Sequence, residues 1–587
     1  MTTLGIDLGT THTAVATEGE DGSVVVVDLP QLVARGSVEA RPLLPSFLYL
    51  AHESDGPQAL PWDETRTFSV GEGARARGLD APTRVIASAK SWLSHAGVDR
   101  RSALLPREAA EDVERLSPVE VSWRYLEHVA EALKHGRGID AASADVVLTV
   151  PASFDAAARE LTVEAALAAG LENVTLLEEP QAALYAWLAR RGDAWRKELR
   201  VGDVVLVVDV GGGTTDFSAI AVREDDGALA LERVAVGQHI LLGGDNMDLF
   251  LAHVCEEKLD QELGPFERAG LLFACRAAKE ALLADGGPDA VPITVAKRGA
   301  KLLGGTLRTE LTRDEIARII LEGFFPSVEL GTQPIARARA ALRSMGLPYA
   351  DDAAITRHLS GFLTRQATAS GGEGPILRPT RVLFNGGVMK STRLRERLLG
   401  ALNGWLAAVG AEPARELEGA DYDLAVARGA LAFGLARKGR GVRIRGGTAR
   451  SYYVGIEGNA PAIPGVEPPL DLLCVAPFGM EEGSASEMQS AELGVVVGEP
   501  VRFRFFGSSV RRDDASGARF SKRRAQDVDE LAPIEVTLPE GERTLGDVVP
   551  VYLRSELTEV GTLKLFAVPH APKKDGERWE IELSVRE

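Results

Sequence analysis

The sequence predicts an α/β protein built on an internal duplication and followed by an all-β segment, and three observations carry that prediction. A strand, a glycine turn and a second strand occur twice, as TLGID, LGTT, HTAVAT at the start of the chain and as VVLVVD, VGGGTT, DFSAIAV from Val204 to Val222. Between the two, β-branched runs alternate with helical periodicity, which is the pattern of a mainly parallel sheet covered by helices. Beyond residue 450 the helical period gives way to short alternating segments punctuated by Gly and Pro.

The elements follow in order. The first hairpin occupies Thr2 to Thr17. Ser117, Pro118 and Glu120 form a capping box with proline at the first helical position, and Val119, Trp123, Leu126, Ala130 and Leu133 recur at helical spacing to about Gly136. Val146 to Val150 is a strand stopped by Pro151, Asp155 to Ala169 a helix closed by Gly170, and Val174 to Leu177 a further strand. After the second hairpin, LGGDNMD opens a helix running to about Leu259, and another covers Pro265 to Leu283. Residues 330–380 hold helical patterns and the loop-like SGGEGP. Strand Arg381 to Phe384, turn Asn385-Gly386-Gly387 and helix Ser391 to about Val409 come next, and helix Asp423 to Ala436 ends this half.

Arg437 to Arg450 carries six basic residues, four glycines and no acid, and reads as a linker. Then SYYVGIE, LLCVAPF, ELGVVVG, PVRFRFFGSSV, PIEVTL, VPVYLRSEL, TLKLFAV and WEIELSV supply the strands of the β segment. The expected domains are therefore residues 1–436, with lobes at about 1–200 and 201–380 and a return at 381–436, then the linker 437–450, then 451–587.

Composition narrows the function. The 587 residues hold 85 acidic and 66 basic side chains, a net charge of −19, which disfavours nucleic acid as a partner because phosphate backbones are held by clustered Lys and Arg. No run of about 18 apolar residues exists, so no membrane association is expected and a soluble, cytoplasmic protein is. Cys255, Cys275 and Cys474 lack metal-ligand spacing and read as buried free thiols.

A glycine turn after a strand lets backbone N–H groups converge on a phosphate, and neighbouring threonine hydroxyls add donors. One such turn is weak evidence, since glycine-rich hairpins are commonly just tight turns. Two of the same form, each with an aspartate at its strand end, place Asp7 and Asp209 across a cleft, where two carboxylates suit a hydrated Mg²⁺ bridging nucleotide phosphates.

The segments GIDLGTTHTAVA, VVLTVPASFDAAARELTVEAALAAGL, LLEEPQAALYAW, VVDVGGGTTDFS and LLGGDNMD resemble, in order over about residues 1 to 440, the nucleotide-site and hinge motifs of the seventy-kilodalton heat-shock (DnaK-like) chaperone family. The resemblance implies a duplicated actin-like ATPase of two RNase H-like lobes, followed by a β-sandwich that binds extended polypeptide. It implies ATP or ADP with Mg²⁺ as ligands, unfolded clients and co-chaperones as partners, a monomeric chain, and roles in protein folding and the stress response. By position it makes Asp7, Thr10 and Thr11 the first phosphate loop and Asp209, Gly211, Gly212, Gly213 and Thr214 the second. Asp7 and Asp209 would act on Mg²⁺ through water, with Asp216 helping to hold the ion and its waters. Glu179 would orient the attacking water. Gly243 and Gly244 would form the second lobe's phosphate-side turn, Lys279 would contact adenosine, and Gly386, Gly387 and Asp423 would serve the adenine side. Pro151 and Arg159 would relay nucleotide state between domains.

Several positions depart from the family's pattern. Arg75, in VGEGARARG, aligns with the family's catalytic lysine through a gapped match, with Lys90 in ASAKSWL as a less favoured substitute. A planar guanidinium serves a site shaped around an ammonium imperfectly, so slow turnover is expected. Glu280 and Leu283 stand where adenosine contacts are common, and the linker is basic where relatives carry a leucine-rich, acidic-ended one. A chain ending at Glu587 leaves no room for the helical lid, so fast peptide exchange is expected. Two other functions fit parts of the pattern: a nucleotide-sensing scaffold with little ATPase activity, and a small-molecule kinase with the same duplicated lobes.

Overall fold

The computed structural model describes residues 2–581 apart from positions 96, 110, 226–227, 239, 298–304, 336–346, 368–373, 446–447, 449, 458–468, 481–482, 499, 526, 532–533, 538–542, 545, 559–562 and 575. Parts of the SGGEGP loop, the linker glycines Gly446 and Gly447, and the start of TLKLFAV lie outside the described residues. The chain divides into two compact units, Met1–Phe154 with Leu161–Ile444, and Asp155–Glu160 with Arg445–Glu587.

In the first unit the duplication is carried by two sheets of matching strand order. One runs Asn173–Glu178, Asp145–Val150, Thr3–Leu8, His12–Glu18, Val24–Val26, and the other Arg415–Glu416, Arg381–Asn385, Val204–Val210, Thr215–Asp225, Ala228–Val236. In each, the first three strands are parallel and the hairpin is antiparallel. The run VVLVVDV alternates between two cores: Val204, Leu206, Val208 and Val210 enter one, Val205 and Val207 the other. A sheet buried on both faces needs such an unbroken apolar strand.

Each sheet is followed by a helix that packs across to the other lobe. Helix Glu179–Arg191 leaves the first sheet, and its Ala183, Leu184 and Leu188 share a core with Val205, Val207 and Leu383 of the second. Helix Ala425–Arg437 leaves the second sheet, and its Ala427, Leu431 and Leu435 pack on Ala14 and Ala16 of the first. Strand Arg381–Asn385, expected in the returning segment, is a member of the second sheet, and the chain reaches the first lobe again with this helix.

Two insertions were not legible in the sequence. Strands Phe47–Leu50, Phe68–Val70 and Val85–Ala87 form a small sheet in the first lobe, and the hairpin of Ala290–Ala296 with Thr306–Thr312 sits in the second. The first of these is made of strands of three or four residues, too short for periodicity to resolve. The basic stretch after Arg437 is tied down rather than free: Lys438 pairs with Asp145 at 2.9 Å, Arg440 with Glu18 at 2.5 Å, and Ile444–Arg445 adds an edge strand to the second sheet. Among the described residues no helix is long and apolar enough to cross a membrane.

The second unit contains a five-stranded sheet built on Ser451–Glu457 and Leu470–Ala476, and a four-stranded sheet built on Ala485–Val496 and Val548–Leu557. Val454, Leu473 and Val475 of the first sheet share a core with Met488, Val551, Leu553 and Leu565 of the second, so the two pack face to face. The intervening residues Tyr453, Leu472, Cys474 and Phe506 are buried on the opposite face. PVRFRFFGSSV, expected as one strand, is two: Pro500–Phe503 pairs with Ile534–Thr537, and Phe505–Ser508 joins the five-stranded sheet.

Candidate functional site

The two hairpin turns close in the same way. Gly9 N–H donates to His12 O and Gly211 N–H donates to Thr214 O, each at 3.0 Å. Side chains are excluded where the lobes meet: a Cβ on Gly212 would run into Thr11 Oγ1, and one on Gly243 would lie 2.6 Å from the carbonyl oxygen of Gly211. Helix Gly244–Leu259 starts directly on this loop, with the N–H groups of Gly244 and Asp245 donating to the carbonyls of Gly211 and Gly212 at 3.0 and 2.8 Å.

A cavity of about 370 Å³ opens between the turns, large enough for a small organic ligand. Of the residues expected at the site, Asp7, Thr10, Thr11, Glu179, Asp209, Gly211, Gly212, Thr214, Gly244, Lys279, Gly386, Gly387 and Asp423 line it. Gly213 stands behind the loop against Thr10 and Ser91, and Gly243 against Gly211 and Gly212. Asp216 is buried opposite Asp209 in the hairpin register. Pro151 follows strand Asp145–Val150, Arg159 lies in the first turns of helix Ala156–Ala168, and neither lines the cavity.

Arg75 is not brought to the cavity. It is half-exposed, and its guanidinium is taken by Glu72 at 2.7 Å, three residues back on the same short helix. The cation at Glu179 is Lys90, whose side chain is 4% exposed and whose Nζ donates to Glu179 Oε1. Lys90, the less favoured substitute in the sequence, thus stands beside Glu179 where Arg75 was expected. Lys90 lies on the short helix Ala89–Trp92, all four residues of which are buried.

Sequence reasoning also missed much of the lining. Arg276 pairs with Asp245 at 2.6 Å and Asp248 at 2.8 Å, and Lys279 pairs with Asp248 at 2.6 Å while donating to Gly244 O at 2.8 Å. Arg276 and Lys279 are three residues apart on helix Pro265–Leu283 and share a face, a spacing that could have flagged Arg276. Lys390 pairs with Asp423 at 2.5 Å. His12 lines the cavity, and burial holds its ring down at about 4, so it is neutral at neutral pH.

The carboxylates at the turns have neutral donors for hydrogen-bond partners. Asp7 accepts from Thr149 Oγ1 at 3.0 Å, Asp209 from Asn385 Nδ2 at 2.9 Å, and Asp216 from Ser153 N–H at 3.2 Å. Burial, reinforced by the charge of Glu179, pushes Asp7 and Asp216 up to about 7 and raises Asp209 well above the usual carboxylate range. Among the described residues no group of three or more His, Cys, Asp or Glu side chains is arranged to grip a metal directly. Clustered buried carboxylates whose hydrogen-bond donors are neutral fit a hydrated Mg²⁺ held through its waters.

These carboxylates set a pH dependence. An acid that holds its proton more tightly in the folded than in the unfolded chain stabilises the fold at low pH, and that stabilisation is lost between the unfolded value near 3.8 and the folded value near 7. The ligand-free protein is expected to lose melting temperature from pH 5 to pH 8 through these groups, and Asp216→Asn to flatten the slope. Differential scanning fluorimetry of both proteins across that range checks it, and identical slopes would exclude Asp216 as a contributor.

Two matching lobes, each offering a glycine hairpin to one shared cleft, define a duplicated α/β architecture, and a β unit follows it in the chain. Residues 65–320 match the family model described as Hsp70 protein. The chain is 30% identical over 409 residues to the chaperone protein HscA homolog of Bordetella pertussis, covering 67% of this chain and 58% of the relative. It is 30% identical over 412 residues to the HscA homolog of Cupriavidus necator, with the same coverage, and 34% identical over 266 residues to the chaperone protein HscA of Cronobacter sakazakii, covering 43% and 37%. The chain belongs to the Hsp70 family. It spans about half the length of the curated relatives it matches.

Proposed function

We propose that this protein is an actin-like ATPase that binds ATP with Mg²⁺, hydrolyses it, and serves as a chaperone whose β unit takes extended polypeptide, with co-chaperones as further partners. The observation that carries the reading is the convergence of both hairpin turns on one cavity beside the buried Lys90–Glu179 pair. Thr10 and Thr11 on one side and Gly211, Gly212 and Thr214 on the other cradle the phosphates, with the hydroxyls as donors. Glu179 orients the attacking water, and Lys90, already at that carboxylate, supplies positive charge as the phosphoryl group transfers. Asp7, Asp209 and Asp216 would hold the hydrated Mg²⁺. When bound, the ion neutralises charge on the phosphate oxygens. Lys279, Glu280, Leu283 and Asp423 line the part of the cavity assigned to the nucleoside. Attraction of an anion to a chain of net charge −19 is then local and does not come from the long-range field.

The test is phosphate release from Mg-ATP by the purified chain, with calorimetric binding of Mg-ADP in parallel. Binding with turnover supports the reading. Binding without hydrolysis would leave the scaffold reading, and ATP-dependent phosphorylation of a sugar would replace it with a kinase.

A further inference from the structure

The turn that carries Glu179 is anchored from behind by a buried ion pair that joins the two lobes. Glu178 is the last residue of strand Asn173–Glu178 in the first sheet, paired in register with Val150, and it stands at the N-cap position of helix Glu179–Arg191 without a side-chain capping hydrogen bond. Glu179 faces the cavity, whereas Glu178 does not line it. The Glu178 carboxylate instead accepts from Nη1 of Arg233, on strand Ala228–Val236 of the second sheet, with side chains 9% and 3% exposed.

Arg233 is out of place by pattern. Its strand neighbour on the same face, Leu231, joins the apolar core that helix Glu179–Arg191 packs against, with Ile220 and Val222 beside it. A guanidinium on that face carries a large desolvation penalty unless it is paired. The two adjacent carboxylates at this helix start thus have separate cations from opposite lobes: Lys90 for Glu179 and Arg233 for Glu178.

We infer that Arg233 is a positioning residue for ATP hydrolysis, fixing the Glu178–Glu179 turn to the second lobe so that Glu179 and Lys90 stay aligned with the cleft. The inference rests on the proposed ATPase. Arg233 does not line the cavity, so its effect belongs in turnover and not in nucleotide affinity. With Arg233 replaced by methionine, Glu178 loses this buried guanidinium and the turn loses this tie to the second lobe.

Single-turnover and steady-state hydrolysis of Mg-ATP test this on the full chain with Arg233→Met, Arg233→Lys and the double variant Glu178→Gln/Arg233→Met, alongside calorimetric binding of Mg-ADP. Arg233→Met is expected to lower kcat roughly 10- to 100-fold, the size of effect that follows from a misplaced catalytic group, with Mg-ADP affinity essentially unchanged. Arg233→Lys and the double variant, in which the charge of Glu178 is also removed, are expected to recover most of that loss. If the unaltered chain shows no turnover, the ATPase reading fails and the inference with it. If the unaltered chain and Arg233→Met turn over alike, or kcat and affinity fall together, or neither Arg233→Lys nor the double variant recovers, the inference alone is overturned.

Discussion

Replacing Lys90 by methionine is expected to lower ATP turnover by about 10²- to 10³-fold, the usual cost of removing one preorganised group from a transition state. The Lys90 ammonium is buried, donates to Glu179, and lies 6.0 Å from the Phe154 ring centroid. It is held in place before nucleotide arrives, in surroundings where charge acts more strongly than in water. Nucleotide binding should survive, because Lys90 does not belong to the turns that line the cavity. Arg75→Ala provides the contrast. Its ion pair with Glu72 is half-exposed, and exposed pairs contribute little, so turnover should be essentially unchanged. Steady-state rates for both variants decide the matter: a large loss with Arg75→Ala and none with Lys90→Met would restore the arginine as the catalytic cation.

The second large effect concerns the fold. Helices Ala425–Arg437 and Glu179–Arg191 cross at Gly429, where a Cβ would be driven into the backbone carbonyl of Ala182. The opposing atoms are backbone and cannot rotate aside, so the crossing helices must separate. Helix Ala425–Arg437 also crosses strand Thr3–Leu8 at Gly5, where a Cβ would meet Ala427 O and Leu431 N. Gly429→Val is expected to destabilise the first unit by about 3 kcal/mol, the upper part of the range for overpacking a tight core. Chemical denaturation with a spectroscopic readout checks it. A midpoint equal to that of the unaltered chain would mean that the helices are not in this contact in solution.

Much of the cleft was legible because its chemistry is local in the chain. Asp7 with Thr10 and Thr11, and Asp209 with Gly211, Gly212 and Thr214, each lie within a few residues on one hairpin, and a hairpin keeps sequence neighbours together in space. The strands were legible for a related reason, since both faces of Val204–Val210 are buried and the run is apolar throughout. Lys90 was misjudged in favour of Arg75 because both lie in the first lobe's insertion, a region of short strands and irregular chain where no periodicity fixes which side chain turns inward. Arg276 and Asn385 were missed because their roles depend on partners far away in sequence: Asp245 and Asp248 on another helix, and Asp209 on a neighbouring strand.

The duplication, the two glycine hairpins with their aspartates, and the change to a β unit near residue 450 are readable from the residues alone. These follow from short-range pattern, because strand period, turn residues and helix caps act over a few residues. Folding in three dimensions sets which cation meets Glu179, holds the stretch after Arg437 to Asp145 and Glu18, and joins Glu178 to Arg233 of the other lobe. Each of those is a charge paired across a long span of chain. Such pairing is set by which surfaces the folded sheets and crossing helices bury together, a property that no local stretch of residues carries.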